Sequence, residues 1–82
     1  MVAGAWVYIL RCSDGSLYTG WTVDVDRRLE AHNSGRGSRY TRSRLPVVLA
    51  ASFRMADPAA ARREEFRIKR LTRVEKLELI GS

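Results

Sequence analysis

Two apolar runs split by the turn Ser13-Asp14-Gly15 constrain this chain more than any other feature in it. Residues 5 to 12 (AWVYILRC) have the β-branched and aromatic content of a strand, and residues 16 to 21 (SLYTGW) read as its hairpin partner. The register across the turn decides which side chains share a face, because strand side chains alternate with a period of two. A two-residue Asp14-Gly15 loop would pair Tyr8 with Trp21 and put Tyr8 and Tyr18 on opposite faces. A three-residue Ser13-Asp14-Gly15 loop, with Gly15 left-handed in a bulge, pairs Tyr8 with Gly20 and Leu10 with Tyr18. Both tyrosines then share a face, and Gly20 leaves room beside Tyr8. Only this second register lets one site contain both phenols, and it is the expected one.

Helical signals follow. Asp24 and Asp26 favour a helix start near residue 24, where carboxylates suit the positive end of the dipole. Val25, Leu29 and His32 recur at helical spacing, Arg28 joins them three residues after Val25, and Asn33-Ser34-Gly35 ends the helix. Residues 34 to 46 (SGRGSRYTRSRLP) are expected to be a basic loop, and residues 47 to 53 (VVLAASF) a third strand. Asp57-Pro58 opens a helix that runs to about Leu71. Thr72-Arg73-Val74-Glu75 fits a capping box opening a last short helix, ended by Gly81. The expected fold is α+β: a small three-stranded mixed or antiparallel sheet flanked by helices, in the order β-β-α-β-α-α.

The length of 82 residues suits one domain, expected over residues 1–82. No apolar run nears the ~20 residues that span a bilayer, so no membrane is expected as partner. The first residues lack a basic segment followed by a long apolar one, so no secretory signal is expected. Cys12 is the single cysteine and reads as a reduced, partly buried thiol of a cytoplasmic protein. The net charge is +6, and Lys69 and Lys76 are the two lysines among fifteen basic residues. Arginine suits planar, bidentate phosphate recognition, so the excess favours a nucleic acid as partner.

Arg28 and His32 are four apart and neighbour each other on one helix face. That face also carries Val25 and Leu29, and a guanidinium beside an apolar stripe costs free energy unless paired or given an anion. Arg28 could instead snorkel to solvent or pair with Asp24, with His32 a satisfied histidine at the core edge. In the basic loop Arg36, Arg39, Arg42 and Arg44 surround Tyr40, and Gly35 and Gly37 allow close backbone approach. Arginines interleaved with an aromatic suit phosphate contacts and base stacking, and with no acid among them they repel each other unless an anion is near. Trp6, Trp21, Phe53 and Phe66 are expected in the core. The sequence contains no Cys/His metal cluster, phosphate-cradling loop or Ser/His/Asp set.

The tyrosine-bearing triplets Val7-Tyr8-Ile9 and Tyr18-Thr19-Gly20, Arg28-x-x-x-His32-Asn33, Tyr40-Thr41-Arg42 and the run Glu65-Phe66-Arg67-Ile68-Lys69 come in an order that resembles the GIY-YIG nuclease superfamily. The first triplet has Val7 for the usual middle Ile and Trp6 where the family often has Gly; the second keeps Tyr18 and Gly20. The resemblance covers about residues 5 to 80 and points to the small stand-alone bacterial group. The wider family includes homing endonucleases and an excision-repair incision module.

The resemblance implies a phosphodiester-hydrolysing endonuclease, acting foremost on DNA, with Tyr8, Tyr18, Arg28, His32 and Glu65 as catalytic residues. Glu65 would hold Mg²⁺ or Mn²⁺, and Arg28 would bind the phosphate. Tyr18 would accept or relay the proton of the attacking water, aided by Tyr8, while His32 orients Tyr18 or holds a proton. Glu65 is preferred over Glu64 on the motif alone; either glutamate could make a solvated helical pair, Glu65 with Lys69. Substrate selection would come from this domain or a protein partner. The alternative is a non-catalytic nucleic-acid-binding module on the same scaffold.

Overall fold

A computed structural model describes residues 4–81. Strands β1 (Ala5–Arg11) and β2 (Leu17–Thr22) pair antiparallel, with Tyr8 opposite Gly20 and Leu10 opposite Tyr18. This is the three-residue-loop register. Gly15 closes the turn at φ 84°, donating its N–H to the Cys12 carbonyl at 2.9 Å. A residue with a side chain is strained in that left-handed conformation, so the turn chemistry fixes the register.

Helix α1 (Val25–Asn33) starts where Asp24 accepts a hydrogen bond from the Arg27 N–H at 3.1 Å. The segment expected to be a plain loop contains a further helical turn, α2 (Arg39–Arg42). Its cap is Ser38, whose hydroxyl accepts from the Thr41 N–H at 3.2 Å. Glycine and arginine density outweighed this one local cap in the sequence reading. Strand β3 (Val48–Met55) runs two residues beyond its expected end and pairs with the free edge of β1. The sheet order is β2-β1-β3 and every pairing is antiparallel, so the mixed option falls away. Helix α3 (Pro58–Lys69) is capped by Asp57, and α4 (Arg73–Ile80) carries the expected Thr72–Glu75 capping box and ends on left-handed Gly81.

Alternation along β1 sends side chains into two different layers. Ala5, Val7 and Ile9 pack on Ala61 and Ile68 of α3, with Trp21, Phe53, Leu79 and Ile80 around them. Fully burying each Val or Ile side chain contributes roughly 1.5–3 kcal/mol. Tyr8, Leu10 and Cys12 point the other way, against Val47, Tyr18 and Leu29. Phe66 departs from the expectation: it is 63% exposed. Ala61 and Ile68, seven residues apart, define the buried stripe of α3, and Phe66 falls nearly opposite Ile68 on the helical wheel. Among the described residues no helix is long and apolar enough to cross a membrane.

Candidate active site

The layer between the sheet and α1 is built around one buried histidine. Gly20 lets the Tyr8 ring lie across β2, since a Cβ there would stand 2.5 Å from the Tyr8 hydroxyl. That hydroxyl meets His32 Nε2 at 2.8 Å, and Arg28 Nε donates to the same oxygen at 3.3 Å. Arg28 also donates through Nη2 to the Gly37 carbonyl at 2.9 Å. It makes no pair with Asp24; its partly buried guanidinium spans α1 and the following loop. His32 is fully buried, and its Nδ1 meets Thr41 Oγ1 at 2.8 Å. Tyr18 approaches the imidazole edge-on, with ring centroids 5.2 Å apart. Four of the five expected site residues, Tyr8, Tyr18, Arg28 and His32, thus lie in one cluster, and His32 bonds Tyr8 rather than Tyr18.

Thr41 Oγ1 lies 3.0 Å from the Ser38 hydroxyl, where either oxygen can donate, and 3.4 Å from the Ser38 carbonyl. In the tautomer with the proton on Nδ1, Thr41 accepts it and Nε2 accepts the Tyr8 proton; in the other tautomer Nε2–H donates to the Tyr8 oxygen. Burial, followed by the charge of Arg28, holds the His32 pKa at about 4 against an ordinary 6.5. The imidazole is neutral at neutral pH. Burial also pushes the Tyr8 phenol above its ordinary value of 10.0. The Arg28 hydrogen bond and charge pull it down without overcoming burial, and the charges of Tyr18 and Glu65 add to the rise.

Glu65, the fifth expected site residue, is not in contact with this cluster among the described residues. It stands on α3, which packs against β1 and β2, and its charge is felt at the Tyr8 phenol. Among the described residues it makes no hydrogen bond to the cluster. Its carboxylate pairs with Lys69 at 3.4 Å, the helical pair foreseen as the bland alternative. Glu64 is held more firmly, by both arms of the Arg67 guanidinium at 2.8 and 2.7 Å. No group of three or more acidic, histidine or cysteine side chains forms a metal cage among the described residues. One carboxylate held only by a flexible lysine fits Mg²⁺, which commonly takes one or two carboxylates and completes its shell with water and phosphate oxygens. It does not fit a tight structural metal.

The basic segment divides. Arg36, Arg39 and Arg42 are exposed. Arg44 is engaged within the protein: it pairs with Asp14 of the hairpin turn at 3.1 Å, donates to the Tyr40 carbonyl at 2.8 Å and lies over the Tyr40 ring. The missing acid thus comes from thirty residues upstream. Tyr40 stacks on Tyr18 with ring centroids 5.9 Å apart. Gly35 is left-handed at the end of α1, and Gly37 presses on His32, where a Cβ would lie 2.1 Å from Nδ1. The close approach expected for a ligand is, at Gly37, an internal one.

Sequence reasoning singled out neither Thr41 nor Gly37 as part of the site. A buried histidine needs a partner for each nitrogen, but nothing in the sequence pointed to Thr41 as that partner. Asn33, quoted only within the motif, ties α1 to the start of β3 through two bonds to the Val47 backbone at 2.9 and 2.8 Å.

A hairpin with paired tyrosines thus faces an Arg/His helix, with a glutamate helix behind it. The GIY-YIG catalytic domain matches residues 4–78, and the chain belongs to that family. Its relatives are small. A UPF0213 protein of Clostridium perfringens is 49% identical over 77 residues, 94% of this chain and 83% of its own. The solution structure of a UPF0213 protein from Bacillus halodurans is 46% identical, with a TM-score of 0.61, 95% of this chain and 83% of that one covered. A protein from E. faecalis, also solved in solution, is 37% identical at a TM-score of 0.63, over 94% and 82% of the two chains.

Proposed function

We propose that this protein is a metal-dependent endonuclease that hydrolyses nucleic-acid phosphodiester bonds, with DNA as the first substrate to try. The observation that carries the reading is the Tyr8 hydroxyl held between His32 Nε2 at 2.8 Å and Arg28 Nε at 3.3 Å. A buried phenol takes a hydrogen-bond partner in any core; here a guanidinium and a buried imidazole meet on one phenol oxygen, with a second tyrosine against the same imidazole.

The geometry favours Tyr8 as the relay. In the His32 tautomer whose Nε2 accepts the Tyr8 proton, the phenol oxygen accepts from Arg28 Nε and keeps one further lone pair for the proton of an attacking water. His32 is a poor proton acceptor at rest, and negative charge building on the phosphoryl oxygens would stabilise a proton there. Arg28 adds a positive charge beside the same oxygens. Tyr18, whose hydroxyl has no hydrogen-bond partner among the described residues, is left to orient water or phosphate. A divalent cation held by Glu65 would supply Lewis-acid polarisation of the phosphate. Arg36, Arg39 and Arg42, with Tyr40 and Arg44 behind them, would bind the strand outside the reacting bond.

The test is incubation with branched, flapped, single-stranded and duplex DNA and RNA, with Mg²⁺ or Mn²⁺ and with EDTA. We expect metal-dependent cleavage by the wild type, none by Glu65→Ala, and near-normal cleavage by Glu64→Ala. Nucleic-acid affinity should survive in Glu65→Ala. Binding without cleavage of any substrate by the wild type would leave the non-catalytic binding module as the better reading.

A further inference from the structure

A cleft of about 230 Å³ opens beside the tyrosine cluster, lined by Leu17, Tyr18, Thr19, Tyr40, Lys69 and Lys76. β2 is an edge strand, so no further strand covers this side of the sheet. The cleft joins both layers: Leu17 packs with the α3 layer and Tyr18 with the α1 layer. The two lysines of the chain both line it, one from α3 and one from α4. None of its lining residues is acidic. Lys76 is partly buried and forms no ion pair among the described residues. The Thr19 hydroxyl on its strand wall is buried and has no hydrogen-bond partner among them.

Arginine serves the exposed loop, whereas this cleft uses compact ammonium groups with rotatable donors, which accept phosphate from several directions. We propose that the cleft is a subsite for the phosphate next to the scissile one on the same strand, held by Lys76 and Lys69 beside Tyr18. The inference rests on the nuclease reading for what happens next door, but binding in the cleft needs no cleavage.

Lys69 gives the subsite a consequence. The ammonium that lines the cleft is the one that pairs with Glu65 at 3.4 Å. A phosphate in the cleft draws Lys69 away and bares the Glu65 carboxylate. Nucleic acid and divalent cation then bind cooperatively, each strengthening the other by the same factor.

The experiment is fluorescence anisotropy with a labelled single-stranded oligonucleotide in EDTA, across a salt titration. Lys76→Met should weaken binding about fivefold and lower the salt slope by about 0.7, the value for one phosphate contact on a single strand. Lys76→Arg should restore most of the affinity. Arg54→Met removes the same charge from β3, the opposite edge of the sheet, and should change affinity less than about twofold. Equal losses in Lys76→Met and Arg54→Met would reduce the effect to net charge and overturn the subsite.

Mn²⁺ binding by electron paramagnetic resonance, with and without the oligonucleotide, tests the linkage. The oligonucleotide should tighten Mn²⁺ binding in the wild type and do so much less in Lys69→Met, where Glu65 is already bare. The same coupling in both proteins would overturn the role of Lys69. A wild type that binds through Lys76 but cleaves nothing would sink the nuclease reading and leave the subsite standing. A wild type that cleaves normally with Lys76→Met unaffected in binding would do the reverse.

Discussion

Neighbouring residues of one strand serve two unlike layers. Val7 and Ile9 enter a layer closed by Ala61, Ile68 and other apolar side chains. Tyr8, between them, enters a layer where a fully buried His32 and a fully buried Thr41 are hydrogen-bonded in series. The first layer is held by burial alone, which is non-directional and tolerant of similar shapes. The second is held by directed bonds whose loss leaves a buried polar atom unpaired, at about 1–3 kcal/mol each. A small domain has little stability to spare, so a polar core on one face points to a use beyond folding. The α3 layer packs the sheet by burial, and the α1 layer holds the polar network on which the proposed reaction rests.

The comparison breaks most visibly at Arg28. Arg28→Ala should cut turnover by ~10²-fold or more, as expected for loss of one transition-state charge stabiliser. Thermal unfolding should also shift, since the Tyr8 hydroxyl and the Gly37 carbonyl lose a donor, but the folded variant should still bind nucleic acid without turning it over. A large loss of stability with turnover preserved would make Arg28 a packing residue.

Gly37→Ala comes next. Its Cβ would lie 2.1 Å from His32 Nδ1 and 2.7 Å from the His32 Cα, a backbone atom that cannot swing aside. Destabilisation of about 1–3 kcal/mol is expected, as for other overpacked sites. Denaturant unfolding measures it; an unchanged midpoint would show that the loop does not press on the histidine in solution.

The pH dependence of stability tests the same histidine. The folded His32 titrates at about 4 and the unfolded one at about 6.5. Between those values the unfolded chain takes up a proton that the folded chain refuses. Stability from this group therefore rises with pH through the window and is lost as pH falls from 6.5 toward 4. Melting temperatures of the wild type should fall more steeply across that range than those of His32→Gln. Parallel curves would mean that His32 is not buried as a neutral group.

Much of this contrast was legible in the sequence where the cause is local. The Ser13-Asp14-Gly15 turn fixed the hairpin register, and with it the shared face of Tyr8 and Tyr18, because a left-handed glycine allows few alternatives. The caps at Asp24, Asp57 and Thr72 marked helix starts for the same reason. Contacts that depend on how distant segments pack were not legible. Arg44 finds Asp14, thirty residues away, and Thr41 finds His32 across a loop, so neither pairing has a periodic signature. Phe66 was misplaced because residue type spoke louder than helical phase. The position of Glu65 depends on how α3 crosses the sheet, and only the family motif pointed to it.

The most direct test sets two adjacent residues of β1 against each other. Tyr8→Phe removes one hydroxyl from the polar layer, and Ile9→Val one methylene from the apolar layer. Cleavage time courses with Mg²⁺ should show Tyr8→Phe losing most activity while keeping substrate affinity. Ile9→Val should remain active while losing about 1 kcal/mol of stability. If Tyr8→Phe cleaves as fast as the wild type, the hydroxyl between His32 and Arg28 has no part in the reaction, and the account of the α1 layer as the reaction site is wrong.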